Sequence, residues 1–150
     1  MPSVTLIRRT RFSAGHHYHR PDWSEEENRE RFGRSVHRHG HNYEVAVSVE
    51  GPVEQETGFV MDLGLLDDLL ESVAAPLDQR DLTDTIPRFR PGGRIPSTEN
   101  LALWFWEELR DRIPAPARLR RVRVWESGDL AAEVSDGGGA EVPRAGGPRP

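Results

Sequence analysis

The sequence predicts an α+β fold whose elements follow one another in the order ββααββ. Residues 41–49 alternate between apolar and polar side chains, which is the period of a half-buried strand. Two later segments, beginning near Asp62 and Ser97, repeat their apolar residues at the helical spacing instead. Stretches rich in glycine and proline separate these elements. The three patterns together indicate strands towards both ends of the chain and helices between them.

The first two strands are predicted at residues 4–14 and 41–49. A polar, acidic stretch at residues 20–34 separates them and is predicted to form a long loop with room for one short helix. Loops of this length in a compact domain are usually functional or disordered. One face of the second strand is apolar and carries Tyr43, Val45, Val47 and Val49.

Two helices are predicted in the middle of the chain. Asp62 is positioned to cap the first helix, which ends at Pro76, and Ser97 or Thr98 begins the second, which ends before Pro114. The segment between them, residues 77–96, is predicted to be irregular. The residues at helical spacing are Leu66, Leu69, Leu70 and Val73 in the first helix and Leu101, Trp104, Phe105 and Leu109 in the second.

The last two strands are predicted at residues 118–126 and 130–135, joined by a turn at Gly128-Asp129. We therefore expect one domain over residues 1–135. Residues 136–150 are rich in glycine and proline, and we expect them to form a disordered tail. One face of the third strand carries Val122, Val124 and Glu126.

Composition excludes several classes of function. The net charge of −5 argues against a nucleic-acid binder, which needs a basic excess. The chain contains no cysteine, so disulfides, thiolate metal sites and thiol nucleophiles are excluded. No apolar run approaches the roughly 20 residues that cross a bilayer, and the N-terminus has too short an apolar stretch for a signal peptide. We therefore expect a cytoplasmic protein with no membrane partner.

All six histidines lie between positions 16 and 41. His39 and His41 are two residues apart at the entry to a strand, so their side chains leave the same face. His16 lies at the end of the preceding strand, the natural antiparallel neighbour. Three imidazoles with an open fourth position are typical of a catalytic zinc site, so we predict Zn²⁺ bound by these three residues. A polar strand surface is the alternative interpretation of a His-X-His pair.

Seven short stretches resemble the 6-pyruvoyltetrahydropterin synthase family, which includes the 6-carboxytetrahydropterin synthases. They occur in the family's order between about residue 5 and residue 135. These stretches are Phe12-Ser13-Ala14-Gly15-His16, Phe32-Gly33-Arg34-Ser35, His39-Gly40-His41-Asn42-Tyr43, Thr57-Gly58-Phe59-Val60-Met61-Asp62, Pro76-Leu77-Asp78, Ser97-Thr98-Glu99-Asn100 and Trp125-Glu126-Ser127.

The resemblance implies the tunnelling fold, an antiparallel sheet with two helices on one face, whose subunits form trimers that stack into a homo-hexamer. It implies that His16, His39 and His41 are the zinc ligands. It also implies that Glu126 grips the 2-amino-pyrimidine edge of a pterin, because a carboxylate accepts two parallel hydrogen bonds from such an edge. We expect three further residues to contact the substrate, namely Gln79, Thr98 and Glu99.

Two catalytic positions depart from the family pattern. Ser35 occupies the position of the family's cysteine base, and Gln79 follows Asp78 where the family has a histidine. A serine hydroxyl is far less acidic than a thiol and needs a neighbouring base, which an amide cannot be. His37 is a candidate substitute base, since the pKa of histidine lies near neutrality. Asp78 is a candidate for orienting a water molecule or a substrate hydroxyl.

These departures predict a zinc-dependent lyase or cyclase with altered chemistry. It acts either on a pterin side chain, in a retro-aldol sense, or on a different carbonyl substrate recruited for secondary metabolism. The alternative is a catalytically silent oligomer that binds a pterin or purine, because neither Ser35 nor Gln79 can move protons.

Overall fold

The computed structural model describes residues 2–137, which are built around a five-stranded sheet of strand order β3-β1-β2-β4-β5. Every neighbouring pair is antiparallel except β1 and β3, which run parallel. The predicted α+β fold is confirmed, with one additional strand. The strands are β1 (Val4–His16), β2 (His39–Gly51), β3 (Arg80–Asp81), β4 (Arg118–Ser127) and β5 (Leu130–Ser135).

Within residues 2–137, four α-helices accompany the sheet, and a side-chain oxygen caps the N-terminus of each. The predicted caps Asp62 and Ser97 accept hydrogen bonds from Leu65 N and Asn100 N, respectively, so both long helices begin where the sequence indicates. The helices are α1 (Glu25–Phe32), α2 (Leu63–Ala74), α3 (Leu82–Thr85) and α4 (Thr98–Leu109).

The hydrophobic core lies between α2 and α4 and one face of the sheet. Phe12 occupies its centre, with its ring stacked on Tyr43 at 5.1 Å and tilted against Phe105 at 5.9 Å. The apolar positions that the sequence assigned to this face of β2 and β4 are all buried, as the alternating pattern predicts. They are Tyr43, Val45, Val47, Val49, Val122 and Val124.

The opposite face of the sheet is charged, and two of its carboxylates each contact two arginines. Glu44 contacts Arg9 and Arg11, while Glu133 contacts Arg121 and Arg123. In the strand register Ala46 lies between two of these arginines and is buried even though it faces away from the core. Long arginine stems cover apolar surface while their charged ends stay in water.

Two short elements, β3 and α3, were not predicted individually, whereas α1 lies in the stretch at residues 20–34 where the sequence left room for one short helix. The helix α1 lies in the predicted polar loop, and its one buried residue is Asn28, whose side chain hydrogen-bonds the main chain of Arg20 and Ser24. The strand β3 and the helix α3 together cover only Arg80–Thr85, within the segment predicted to be irregular. Elements of two to four residues are held by tertiary contacts and leave no pattern in the sequence.

The predicted tail begins at the edge of the described residues. Asp136 still pairs with Arg120 at 2.7 Å, whereas residues 138–150 lie outside the described part of the chain. The disorder expected for them therefore stays a prediction. No helix within residues 2–137 has the length and apolar character that crossing a bilayer demands.

The packing at Phe105 leads to a prediction about stability. Replacing this fully buried ring by alanine should lower the free energy of unfolding by about 3–5 kcal/mol, because it removes buried apolar area and leaves a cavity. Urea denaturation followed by circular dichroism measures the change. Leu103→Ala on the same helix is the matched control, since Leu103 is 38% exposed and should cost less than about 1 kcal/mol. Equal losses in the two variants would contradict the described packing of α4.

Candidate metal centre

The pairing of β1 with β2 brings three histidines to one end of the core face. In the antiparallel register His16 lies opposite His39, and Ala14 lies opposite His41. Residues directly opposite each other, or two apart on one strand, share a face of the sheet. The three imidazoles are therefore mutual neighbours, with ring centroids 4.6–5.0 Å apart.

Strand β4 adds a carboxylate to this group. Glu44 pairs with Trp125, so the next residue, Glu126, shares the face of Tyr43 and points towards the histidines. Its Oε1 lies 3.2 Å from His16 Nε2 and 2.9 Å from His41 Nε2. One ligand atom from each of His16, His39, His41 and Glu126 falls within 4.8 Å of all the others. We call these four residues the His₃Glu group.

Main-chain carbonyls orient two of the imidazoles. His16 Nδ1 lies 2.8 Å from the Pro96 carbonyl, and His39 Nδ1 lies 2.7 Å from the His37 carbonyl. A carbonyl oxygen can only accept, so each Nδ1 carries a proton, and in the neutral imidazole this leaves the lone pair on Nε2. Partners of this kind fix the tautomer and ring orientation of metal-binding histidines.

Burial keeps the imidazoles in the form that binds metals. His16 is fully buried, and desolvation lowers its pKa, against the opposing effect of the hydrogen bond to Pro96. Desolvation also lowers the pKa of His41, even though the charge of Glu126 acts in the other direction. A metal ion requires neutral imidazole, so both shifts favour coordination.

The donor atoms fit a zinc ion. His16 Nε2 and His41 Nε2 are buried and make no aligned hydrogen bond within residues 2–137, although both lie close to Glu126 Oε1. Buried polar atoms without a partner are rare and call for an explanation, such as a bound ion. Imidazole nitrogens and carboxylate oxygens are both ligand atoms that zinc takes in proteins.

Residues at the N-terminus of α4 hold part of the His₃Glu group in place. Thr98, predicted to contact substrate, donates a hydrogen bond from its hydroxyl to Glu126 Oε2 at 3.1 Å. Glu99 follows it and is exposed. Asn100 Nδ2 bonds the Ile95 carbonyl at 2.8 Å, which holds the loop that carries Pro96.

The structure places the other candidate residues at different locations within the subunit. Gln79 has a positive φ of 59° and lines a cavity of about 480 Å³ together with His41 and Asp81. Asp78 Oδ1 accepts the Ser13 N–H at 2.8 Å. The imidazole of His37 instead faces a second cavity, of about 400 Å³, that none of the His₃Glu group lines.

Ser35 is half-buried on the turn of 3₁₀-helix that follows α1. Its carbonyl accepts the Tyr18 N–H at 2.7 Å. This hydrogen bond holds the 3₁₀ turn next to Tyr18.

Sequence reasoning missed two aromatic residues at the centre. Tyr43 was assigned to the core, yet its hydroxyl lies 3.1 Å from His16 Nδ1. Tyr18 stands edge-on to His16 at 5.0 Å, and burial, followed by the charges of Glu126 and Glu99, raises its pKa. The position of Tyr18 directly after the histidines was the only available signal.

The chain is similar to known proteins over most of its length. Residues 5–136 match the sequence profile of the family described as 6-pyruvoyl tetrahydropterin synthase. The chain is 38% identical over 130 residues to the 6-pyruvoyl tetrahydrobiopterin synthase of Drosophila melanogaster, covering 84% of this chain and 76% of the relative. It is 30% identical over 129 residues to the dihydroneopterin monophosphate aldolase of Pyrococcus furiosus, covering 86% and 95%.

The fold matches as well. The structure of the Caenorhabditis elegans 6-pyruvoyl tetrahydropterin synthase superposes with a TM-score of 0.83 at 31% identity, covering 91% of this chain and 97% of that one. The profile match spans almost all of residues 2–137, and the predicted resemblance is confirmed. This chain belongs to the 6-pyruvoyl tetrahydropterin synthase family.

Proposed function

We propose that this chain is a zinc-dependent lyase that cleaves a carbon–carbon bond in the side chain of a pterin. The convergence of the His₃Glu group carries the proposal, because it joins a metal site to a carboxylate suited to a pterin ring. Zinc bound there would supply a Lewis acid that polarises a carbonyl or holds a vicinal diol.

Different residues of this chain bind the metal ion and the substrate. His16, His39 and His41 hold the ion, with the Pro96 and His37 carbonyls fixing the first two rings. Glu126 recognises the 2-amino-pyrimidine edge through parallel hydrogen bonds. Glu99 and Gln79 extend the contacts with substrate, and Thr98 holds the carboxylate of Glu126 in place.

The missing thiol favours cleavage of a carbon–carbon bond over elimination of triphosphate. The family's synthase reaction needs protons moved between side-chain carbons, which Ser35 and Gln79 cannot do. A retro-aldol step needs less. A base takes a side-chain hydroxyl proton, the adjacent C–C bond breaks to leave an aldehyde, and its electron pair passes into the ring C=N to give an enamine. Protonation of the side-chain carbon that stays on the ring then restores the C=N. The aldolase of Pyrococcus furiosus, related over 86% of this chain, supports this choice.

Two residues remain as candidates for the base. Asp78 uses Oδ1 to accept the Ser13 N–H, which leaves its other oxygen able to receive a proton or hold a hydroxyl. The imidazole of His37 lines a cavity apart from the His₃Glu group, so it would have to serve a neighbouring subunit. Asp78 is therefore the preferred base.

A catalytically silent pterin-binding oligomer is the second candidate function. The absence of any cysteine and the amide at Gln79 favour it, because the binding groups are retained where the proton-transfer groups are replaced. A carbonyl substrate from another pathway would use the same metal centre, but nothing in residues 2–137 favours it over a pterin.

Metal binding is the first test of the proposal. The protein should bind one zinc ion per subunit, and His39→Ala should weaken that binding at least tenfold because it removes a ligand. His37→Ala is the matched control: its carbonyl, which orients His39, remains after the substitution. Zinc content by atomic absorption after dialysis measures both. Full zinc occupancy in the His39→Ala variant would contradict the assignment.

Activity separates the candidate functions. Zinc-loaded protein incubated with dihydroneopterin monophosphate should release an aldehyde and a shortened pterin, detected by chromatography. Binding without turnover would favour the silent oligomer, and absence of binding would exclude the pterin.

The same assay with dihydroneopterin triphosphate tests the replaced positions. Ser35→Cys combined with Gln79→His should gain synthase activity, because the variant regains a thiol and an imidazole. General-base contributions are about 10²–10⁴-fold, so a gain is measurable. A double variant that binds zinc and pterin yet stays inactive would show that the base geometry is also altered.

We also propose a homo-hexamer or trimer. Within residues 2–137, β3 pairs with β1 only at Ala14 and Gly15, so most of the outer edge of β1 is free, as is that of β5. Free edges bearing exposed apolar residues such as Ile7 and Leu130 favour strand pairing between subunits. Light scattering should show three or six subunits, and a stable monomer would contradict the proposal.

A further inference from the structure

Tyr18 lies beside the candidate metal centre without belonging to it. It follows His16 by two residues, just beyond the end of β1, and its ring stands edge-on to the His16 imidazole with the centroids 5.0 Å apart. Burial raises the pKa of Tyr18, and the charges of Glu126 and Glu99 raise it further, which shows that the phenol is near both carboxylates. Tyr18 therefore borders both the His₃Glu group and the first turn of α4.

Aromatic packing fixes the position of the Tyr18 ring. Phe32, the last residue of α1, meets it edge-on at 5.8 Å, and Trp23 stacks on Phe32 at 5.5 Å. The guanidinium groups of Arg20 and Arg31 lie 5.4 and 5.3 Å from the centre of the Trp23 ring. A tyrosine side chain turns about only two angles, so these contacts leave the phenol little freedom.

The main chain of Tyr18 is held as well. Its N–H donates to the Ser35 carbonyl at 2.7 Å. Ser35 occupies the position that the resemblance assigns to a cysteine base, so the chain departs from the family pattern directly beside Tyr18. A rigid phenol thus stands between the metal centre and a position that has no thiol.

The two tyrosines of the chain use their hydroxyls differently. The Tyr43 side chain is buried, and its hydroxyl lies 3.1 Å from His16 Nδ1, so it belongs to the surroundings of a metal-binding imidazole. Tyr18 is only half-buried, and no hydrogen bond within residues 2–137 involves its hydroxyl. Small-molecule sites use a few well-placed polar groups of this kind to orient a ligand.

We propose that the Tyr18 hydroxyl donates a hydrogen bond to an oxygen on the side chain of the bound pterin, and that it thereby selects pterins with a hydroxylated side chain. The inference rests on the proposed function and narrows its substrate class. An oxygen that approaches the metal centre comes close to Tyr18, because the phenol ring packs against His16. A pterin with no oxygen on its side chain cannot accept this hydrogen bond.

Selection follows from the cost of a donor that is left without a partner. A ligand that shields the Tyr18 hydroxyl from water without accepting its hydrogen bond leaves that donor unsatisfied. Sites built to hydrogen-bond a substrate hydroxyl reject analogues that lack it for this reason. Tyr18 is therefore a specificity-determining residue, and its hydroxyl should affect the choice of pterin more than the binding of the metal.

Two ligands and one conservative variant test the contact. Neopterin carries hydroxyls on its side chain and 6-methylpterin carries none, and the fluorescence of each reports its binding to zinc-loaded protein. Tyr18→Phe keeps the ring that packs against His16 and Phe32 but removes the hydroxyl. Because one hydrogen bond is lost, we expect the variant to bind neopterin about three- to tenfold more weakly. It should bind 6-methylpterin at least as tightly as the wild type does.

Tyr18→Leu separates the role of the hydroxyl from that of the ring. If the hydroxyl contacts the ligand, both variants lose the wild-type preference for neopterin. A Tyr18→Phe variant with equal changes for the two pterins, or with no change, would overturn the proposal. A loss confined to Tyr18→Leu would also overturn it, because Tyr18 would then act only through packing. All samples are compared at equal zinc content, so that altered metal binding is not taken for altered pterin binding.

The outcomes separate this inference from the proposed function. Wild-type protein that binds neither pterin would refute the proposed substrate class, and the Tyr18 contact with it. Wild-type protein that binds both pterins equally, or a Tyr18→Phe variant that keeps the wild-type preference, would refute only the contact.

Discussion

The pairing of β1 with β2 is the constraint on which the rest of the structure depends. Thirteen consecutive pairs fix the register from Val4 opposite Gly51 to His16 opposite His39. Side chains alternate between faces, so a shift of one residue would turn every one of them to the other side. The same register therefore stacks Phe12 on Tyr43 in the core and sets His16 beside His39 at its end.

The candidate metal centre is the polar end of this hydrophobic core. Going along the face from Phe12 and Tyr43 towards the strand ends, aromatic side chains give way to imidazoles, and Tyr43 touches both environments through its ring and its hydroxyl. The N-terminus of α4 closes the end, since the Pro96 carbonyl and the Thr98 hydroxyl hold His16 and Glu126. Partners on the main chain and on a well-packed helix keep the ligand atoms oriented more firmly than a mobile loop would.

Membership in the family and the departures from it concern different parts of the site. The residues of the His₃Glu group and Thr98 lie on β1, β2, β4 and α4, which are also the elements that form the core. Ser35 and Gln79 lie outside that core. Ser35 is on a turn of 3₁₀-helix, and Gln79 is a loop residue with a positive φ. Residues at such positions can differ between relatives at little cost to the fold, because they lie outside the packed scaffold.

The sequence was sufficient for elements that carry their own periodicity. The alternation along β2 and the helical spacing of apolar residues in α2 and α4 predicted those elements, because each buries one face against the core. The residues before the two helices predicted their caps. The sequence left room for α1 as a short helix but could not fix its bounds, because the one buried residue of α1 is the polar Asn28, and it gave no sign of the two-residue strand β3.

The three histidines were visible in the sequence as a cluster, but their partners were not. The Pro96 carbonyl is 80 residues from His16 and has no side chain that marks it. Glu126 was assigned to a substrate, and its contact with His16 and His41 exists because β4 lies next to β2 in the sheet. Local periodicity reports which face is buried, whereas contacts between distant strands follow from packing, which the order of residues along one strand does not encode.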